Sequence, residues 1–169
     1  TNRTCSYCVD RTNVPWAASP SGLDTSNSGV SNKLINLIIH DNPHEGVGAW
    51  QGAKDFEING CLIYYNGWIG QSKGFEHGIY SQNSNSDGIK TIKDCIAFNN
   101  AEYGFQIYGS SSDAYVNNYD IENNILINNG QLTNMFLKGR NFIIGIYVTN
   151  NIAANAAQNP RIINNLDRK

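Results

Sequence analysis

The sequence predicts an all-β fold, a parallel β-helix (solenoid) of about 4–6 coils, and three observations predict it. A nine-residue pattern recurs along the chain without gaps, each copy closing on asparagine. A second, glycine-led pattern follows each of the first three copies. No stretch of the central chain carries the i, i+3, i+4, i+7 apolar spacing of an amphipathic helix.

The nine-residue copies are LINLIIHDN (34–42), INGCLIYYN (58–66), IKDCIAFNN (92–100) and IENNILINN (121–129). Their middle position holds Leu37, Cys61, Cys95 or Asn124, and an apolar pair follows. The closing residues Asn42, Asn66, Asn100 and Asn129 are 24, 34 and 29 residues apart. VTNNIAAN (148–155) and IINNL (162–166) read as two further, degenerate copies. The second series is EGVGAWQ (45–51), HGIYSQN (77–83) and YGFQIYG (103–109), aligned on Gly46, Gly78 and Gly104, and IGIYVTN (144–150) is expected to continue it.

Each repeat therefore holds two short strand-like pieces joined by polar, Gly/Asn/Ser-rich turns. Repeats of unequal length suit a solenoid, in which every coil buries its inward row on the next and insertions loop out at corners. Asparagine suits those corners, because it tolerates left-handed backbone angles and its amide can bond to an asparagine stacked on it. Prolines 15, 20, 43 and 160 all fall outside the aligned strands. The competing fold is an antiparallel sandwich with Asn-rich turns; a gapless alignment at one fixed corner favours the solenoid. Residues 1–30 read as an irregular N-terminal segment that packs on or caps the solenoid, with Trp16 tucked against it, and 31–169 as the β-helix.

Composition narrows the function. A chain of 169 residues is enough for one domain. Net charge is −2, with 15% charged residues and no Lys/Arg cluster, which speaks against a nucleic-acid partner. No apolar run approaches the roughly 20 residues that span a bilayer, so no membrane partner is expected. The chain opens at Thr1 without Met and reads as a processed or trimmed product. Cys5 and Cys8 form a lone C-x-x-C, read as a local disulfide or two free thiols, and Cys61 and Cys95 read as small core residues within apolar strands. Asn2-Arg3-Thr4 is a single glycosylation sequon.

GCLIYYNGW, EHGIYSQN, IKDCIAFNNAEYGFQIYG and YDIENNILINNG resemble the right-handed parallel β-helix repeat proteins of the pectate-lyase-like superfamily. The resemblance covers roughly residues 30–152. It implies the right-handed fold, and it leaves activity open among polysaccharide lyases, glycoside hydrolases, esterases, tailspikes and adhesins. Lyases of that superfamily show an aspartate cluster for calcium and an Arg or Lys base. Here no such cluster falls on an aligned strand, and no Arg lies between Arg11 and Arg140. No metal or other cofactor is therefore expected, and calcium in particular is not supported. Where relatives read Gly-His-Gly-His before Gly-Ile-Tyr, Phe75 and Glu76 stand in the middle of the pattern. Relatives are also longer, so the solenoid ends are expected to be poorly capped and open to end-to-end self-association.

Stacking the repeats turns aligned positions into columns about 4.8 Å apart. Val47, Ile79 and Phe105 are expected to point inward, as are Ala49, Ser81 and Ile107. Gly48, Tyr80 and Gln106 form one outward column, and Trp50, Gln82 and Tyr108 another. Just ahead, His77 lies between Glu45 and Tyr103, and Glu76 between His44 and Glu102. The expectation is an exposed lip where a polysaccharide binds and is cleaved by lysis or hydrolysis. The catalytic set is His77, Glu76, Glu45 and Tyr80. Trp50, Tyr103, Gln106, Tyr108, Gln82, His44, Glu102 and Lys73 would hold the sugar. A glycan-binding module without turnover and a structural stacking unit are the alternatives. An extracellular or periplasmic location goes with this reading. His40, in a mostly apolar row with Tyr64, Phe98 and Ile127, reads as packed or partly covered rather than catalytic. Asp87 and Lys90 read as ordinary corner residues.

Overall fold

The computed structural model describes residues 21–25, 31–67, 76–84, 88–130, 134–139, 144–154 and 161–163. Among these residues there is no helix; every strand pairing between named strands is parallel. Strand β1 (Leu23–Asp24) is followed by five coils of three strands. The first coil is β2 (Lys33–Ile35), β3 (Ile38–His40) and β4 (Val47–Ala49). The second is β5 (Glu57–Asn59), β6 (Leu62–Tyr64) and β7 (Ile79–Ser81), and the third β8 (Lys90–Lys93), β9 (Ile96–Phe98) and β10 (Phe105–Gly109). Next come β11 (Asn117–Glu122), β12 (Ile125–Ile127) and β13 (Met135–Gly139), then β14 (Ile144–Thr149), β15 (Ile152–Ala154) and β16 (Arg161–Ile163).

The strands stack into three sheets: β1-β4-β7-β10-β13-β16 (sheet 1), β2-β5-β8-β11-β14 (sheet 2) and β3-β6-β9-β12-β15 (sheet 3). The fold is the parallel β-helix the repeats predict. Pairing already begins at Leu23, which sits opposite Val47, inside the segment expected to be irregular. Residues 1–20, with Trp16, the Cys5/Cys8 pair and the sequon, lie outside the described residues.

Three local expectations need correction. Each nine-residue copy holds two strands, because the chain turns inside it: Asn36, Gly60, Asp94, Asn123 and Asn150 take φ between 51° and 66° just ahead of the middle position. Cys61 and Cys95 consequently stand at this corner rather than within a strand. The segment 144–150 belongs to sheet 2, where it pairs with β11, so it opens the next coil instead of continuing the glycine-led series. That series continues through MFLKG (135–139), opposite β10, and part of IINNL falls in β16 of the same sheet.

A second corner closes each copy, and two residues share its work. Asp41, Tyr65, Asn99 and Asn128 take the left-handed backbone, at φ 52–63° for the last three and 54° for the first. The next residue builds the ladder. Asn42 Nδ2 donates to Asn66 Oδ1 (2.8 Å), Asn66 to Asn100 (2.9 Å), Asn100 to Asn129 (2.8 Å) and Asn129 to Asn134 (3.0 Å). The amides of Asn66, Asn100 and Asn129 also donate to the carbonyls of Ile39, Ile63 and Ala97, so buried polar groups satisfy one another.

This ladder explains the glycine column. A Cβ on Gly78 would sit 2.6 Å from the Gly104 carbonyl and 2.9 Å from Asn100 Nδ2, and Gly46 and Gly104 face Asn66 and Asn129 in the same way. In the fourth coil Asn134 stands at the glycine position and ends the described ladder, donating to the Ala154 carbonyl (2.8 Å). The core runs along the axis in columns, notably Ile58, Ile92 and Ile121, then Ile63, Ala97 and Leu126, then Val47, Ile79 and Phe105. Burying each large aliphatic contributes about 1.5–3 kcal/mol.

Candidate functional site

The site candidates gather on the outer side of sheet 1, across β4, β7, β10 and β13. Register follows the predicted columns: Gly48 faces Tyr80, Tyr80 faces Gln106, and Gln106 faces Phe136. Inward, Val47, Ile79 and Phe105 are fully buried, as expected. The outward side differs from expectation. Tyr80 is 4% exposed, Gln82 2% and Gln106 7%, and Trp50 and Tyr108 are only half-buried. The lip is closed largely because its own side chains pack on one another. Trp50 tilts against Tyr80 at 5.0 Å between ring centres, Tyr80 stacks on His77 at 5.9 Å, and Tyr103 stacks on Phe136 at 5.1 Å.

The preceding columns supply the ionisable groups. His77 is fully buried, with its ring 5.2 Å from Tyr103 and its Nδ1 3.5 Å from Glu102 Oε2. The Glu102 side chain is 21% exposed, which makes it the carboxylate of the cluster that reaches the surface. Glu45 is fully buried, accepts from Ser21 Oγ at 2.9 Å and pairs with His44 Nδ1. Glu76 is buried, and its carbonyl accepts from the Glu102 N–H at 2.8 Å, tying the second coil to the third. Lys73 lies outside the described residues.

A polar chain runs beneath. Gln82 Nε2 donates to Tyr80 Oη (2.7 Å) and Ser110 Oγ (2.6 Å), and Tyr80 Oη donates to the Tyr108 carbonyl at 3.4 Å. Burial, the largest influence, raises the Tyr80 phenol above its ordinary range against the opposing bonds of Ser110 and Gln82. Tyr80 therefore stays protonated at neutral pH, fit to donate a proton rather than accept one. Gln106 Oε1, in the outward column between Tyr80 and Phe136, is buried without a hydrogen-bond partner.

Sequence reasoning missed Ser21, Ser110, Phe136 and Lys138, whose Nζ sits 5.9 Å over the Tyr108 ring. Phe136 and Lys138 escaped because Asn134, just ahead of β13, stands where the other copies have glycine. It also misread Lys90, which is 1% exposed and starts β8 pointing into the solenoid, its Nζ donating to the carbonyls of Ala49 (2.9 Å) and Trp50 (2.7 Å). Asp87 lies outside the described residues. On sheet 3, His40 is partly covered: its ring is half-exposed and stacks on Tyr64 at 4.9 Å, and its Nδ1 bonds to Asp41 (2.6 Å). Among the described residues no group of three or more His, Cys, Asp or Glu is placed to hold a metal ion.

Fold and register define a β-solenoid protein with a polar, aromatic cluster on one sheet. The chain belongs to the right-handed β-helix family: the family model described as a right handed beta helix region matches residues 2–166. No curated protein and no solved structure matches it.

Proposed function

We propose that the chain is a carbohydrate-active β-helix protein that cleaves a linear polysaccharide along the outer side of sheet 1. The observation that carries this reading is the His77–Glu102 pair, a buried imidazole 3.5 Å behind a partly exposed carboxylate. On the same side of the sheet the half-buried rings of Trp50, packed on Tyr80, and Tyr108, against Phe136, suit sugar faces. Glu102 takes the substrate proton, His77 orients it and shares the charge, and Tyr80 returns a proton to the departing oxygen. Relative to the sequence reading, this moves the proton-abstracting role from His77 to Glu102. Glu45 is instead committed to His44 and Ser21.

The test incubates the purified chain with uronate and neutral polysaccharides, following ultraviolet absorbance of unsaturated ends together with reducing-end release. We expect products from wild type and a loss of about 100-fold or more in Glu102→Gln and Tyr80→Phe. Absorbance identifies elimination; reducing ends without it identify hydrolysis. No product on any polymer, or products undiminished in Glu102→Gln, overturns the reading.

A second reading, end-to-end association of copies, is favoured by the first coil. There Leu37 heads a corner column whose next members, Cys61 and Cys95, are buried, yet is itself 38% exposed beside the outermost described strands of sheets 2 and 3. Its test is the mass of the chain in solution across a hundredfold range of concentration.

A further inference from the structure

The corner column that opens sheet 3 reads Leu37, Cys61, Cys95, Asn124 and Asn151, one residue ahead of each strand. From Asn151 to Asn124 it is an amide ladder: Asn124 N and Nδ2 both donate to Asn151 Oδ1 at 2.9 Å. Cys95 N donates to Asn124 Oδ1 (2.9 Å), and Cys61 N donates to Cys95 Sγ (3.4 Å), so sulfur takes over the amide's acceptor role. Both thiols are free in the structure and essentially unexposed.

We propose that Cys61 and Cys95 form a reversible inter-coil disulfide that staples the second coil to the third. This goes beyond the glycan reading and does not depend on it. Leu62 pairs with Ile96 in parallel register, so the residues before them are stacked partners. Neighbouring parallel strands lie about 4.8 Å apart, and disulfides take Cα separations of about 4.4–6.8 Å. The bond costs little in lost hydrogen bonding. The Cys61 thiol contacts the carbonyls of Leu34 (3.4 Å) and Asn59 (3.5 Å), and the Cys95 thiol those of Lys93 (3.1 Å) and Ile58 (3.8 Å), all long or weak sulfur bonds. The Asn59 and Lys93 carbonyls already accept from the backbone N–H of Asn36 and Gly60, at 2.9 and 3.1 Å. The Cys95–Cys61 contact holds the Cys61 thiol below its usual range and pushes the Cys95 thiol above its own, so Cys61 is the thiolate that starts exchange and Cys95 follows once Cys61 carries the mixed disulfide.

The oxidant is a small-molecule disulfide. Cys61 thiolate attacks one of its sulfurs and releases a thiolate; Cys95 thiolate then attacks the Cys61 sulfur and releases the second. The two cysteines lose two electrons and two protons, and the reagent becomes two thiols. Burial confines this to folding or to local opening of the corner.

The experiment refolds the full chain in oxidised and reduced glutathione at several ratios, quenches with iodoacetamide in urea, and maps tryptic peptides without reduction. Residues 55–73 carry Cys61 and residues 94–138 carry Cys95, separate from Cys5 and Cys8. We expect these two peptides to be joined, two hydrogens lighter than their sum, with Tm about 10 °C above the reduced chain. In Cys95→Asn, which keeps an acceptor in the ladder, both the joined peptide and the redox-dependent Tm shift should vanish. Separate, alkylated peptides at the most oxidising ratio overturn the proposal, as does joining of either one to Cys5 or Cys8.

Discussion

Lys90 shows what a single residue does inside a solenoid. Its Nζ holds the carbonyls that end β4, while the core beside it adds a polar pair, Ser81 Oγ and Tyr119 Oη at 2.9 Å. Burial alone pulls the Lys90 amine down from 10.5 to about 7. Between those values the unfolded chain binds the proton and the native chain releases it, so stability rises with pH across that window and the gain is absent below pH 7. Urea denaturation should find wild type about 2–3 kcal/mol more stable at pH 9 than at pH 7 relative to Lys90→Met, which removes the titrating group. Equal pH slopes in the two proteins would refute this role. The residue was legible in part: Lys90 has the same parity as inward Ile92, but a lysine after a Ser/Asn/Gly turn reads as surface. Only the packing shows carbonyls waiting for it. The same limit applies to Glu102 and His77, which the columns placed side by side without saying which of them faces solvent.

At the scale of an element, the corner decides more than the strand. Strands of three to six residues carry little preference of their own, apart from the two-residue β1 that is shorter still. What repeats is the pair of a left-handed residue and a ladder asparagine; the asparagine was legible because stacking restricts it, but the left-handed backbone expected at that asparagine falls one residue earlier, on Asp41, Tyr65, Asn99 and Asn128. The first corner was read through, since Asn36, Gly60, Asp94 and Asn123 share a conformation but no side-chain type. Asn100 is the test of the ladder. It accepts from Asn66 N (3.1 Å) and Nδ2 (2.9 Å) and donates to Ile63 O (3.1 Å) and Asn129 Oδ1 (2.8 Å). Asn100→Ala leaves several of these buried groups unmatched and should cost about 3 kcal/mol in chemical denaturation. Gly78→Ala, which drives a methyl against the same amide and a carbonyl, should destabilise comparably.

Across the whole molecule the three outer faces differ in character. Sheet 2 carries charge, with Glu57 held by Lys33 (2.6 Å) and Lys93 (3.3 Å), and those lysines pull its carboxyl down to about 2. Sheet 3 presents Ile38, Ile96 and Ile152 at 40–65% exposure beside the stacked rings of His40, Tyr64 and Phe98. Sheet 1 is closed over its polar cluster. The inward columns were legible because burial imposes alternation on every coil. The closure of sheet 1 was not, because it arises from ring-on-ring contacts between coils that no single repeat contains.

The unequal ladder spacing also has a mechanical meaning. Bonds between coils run along the solenoid axis, whereas the chain within a coil runs around it, so tension applied at the two ends should peel coils one at a time. From Asn42 to Asn129, successive ladder residues are separated by 24, 34 and 29 positions. Each released coil then adds about 80, 115 or 100 Å of extended chain. Among the rupture steps of the five coils, single-molecule stretching should record these three unequal lengths, a readout of coil size by force alone; one undivided rupture would show that the coils yield as a block.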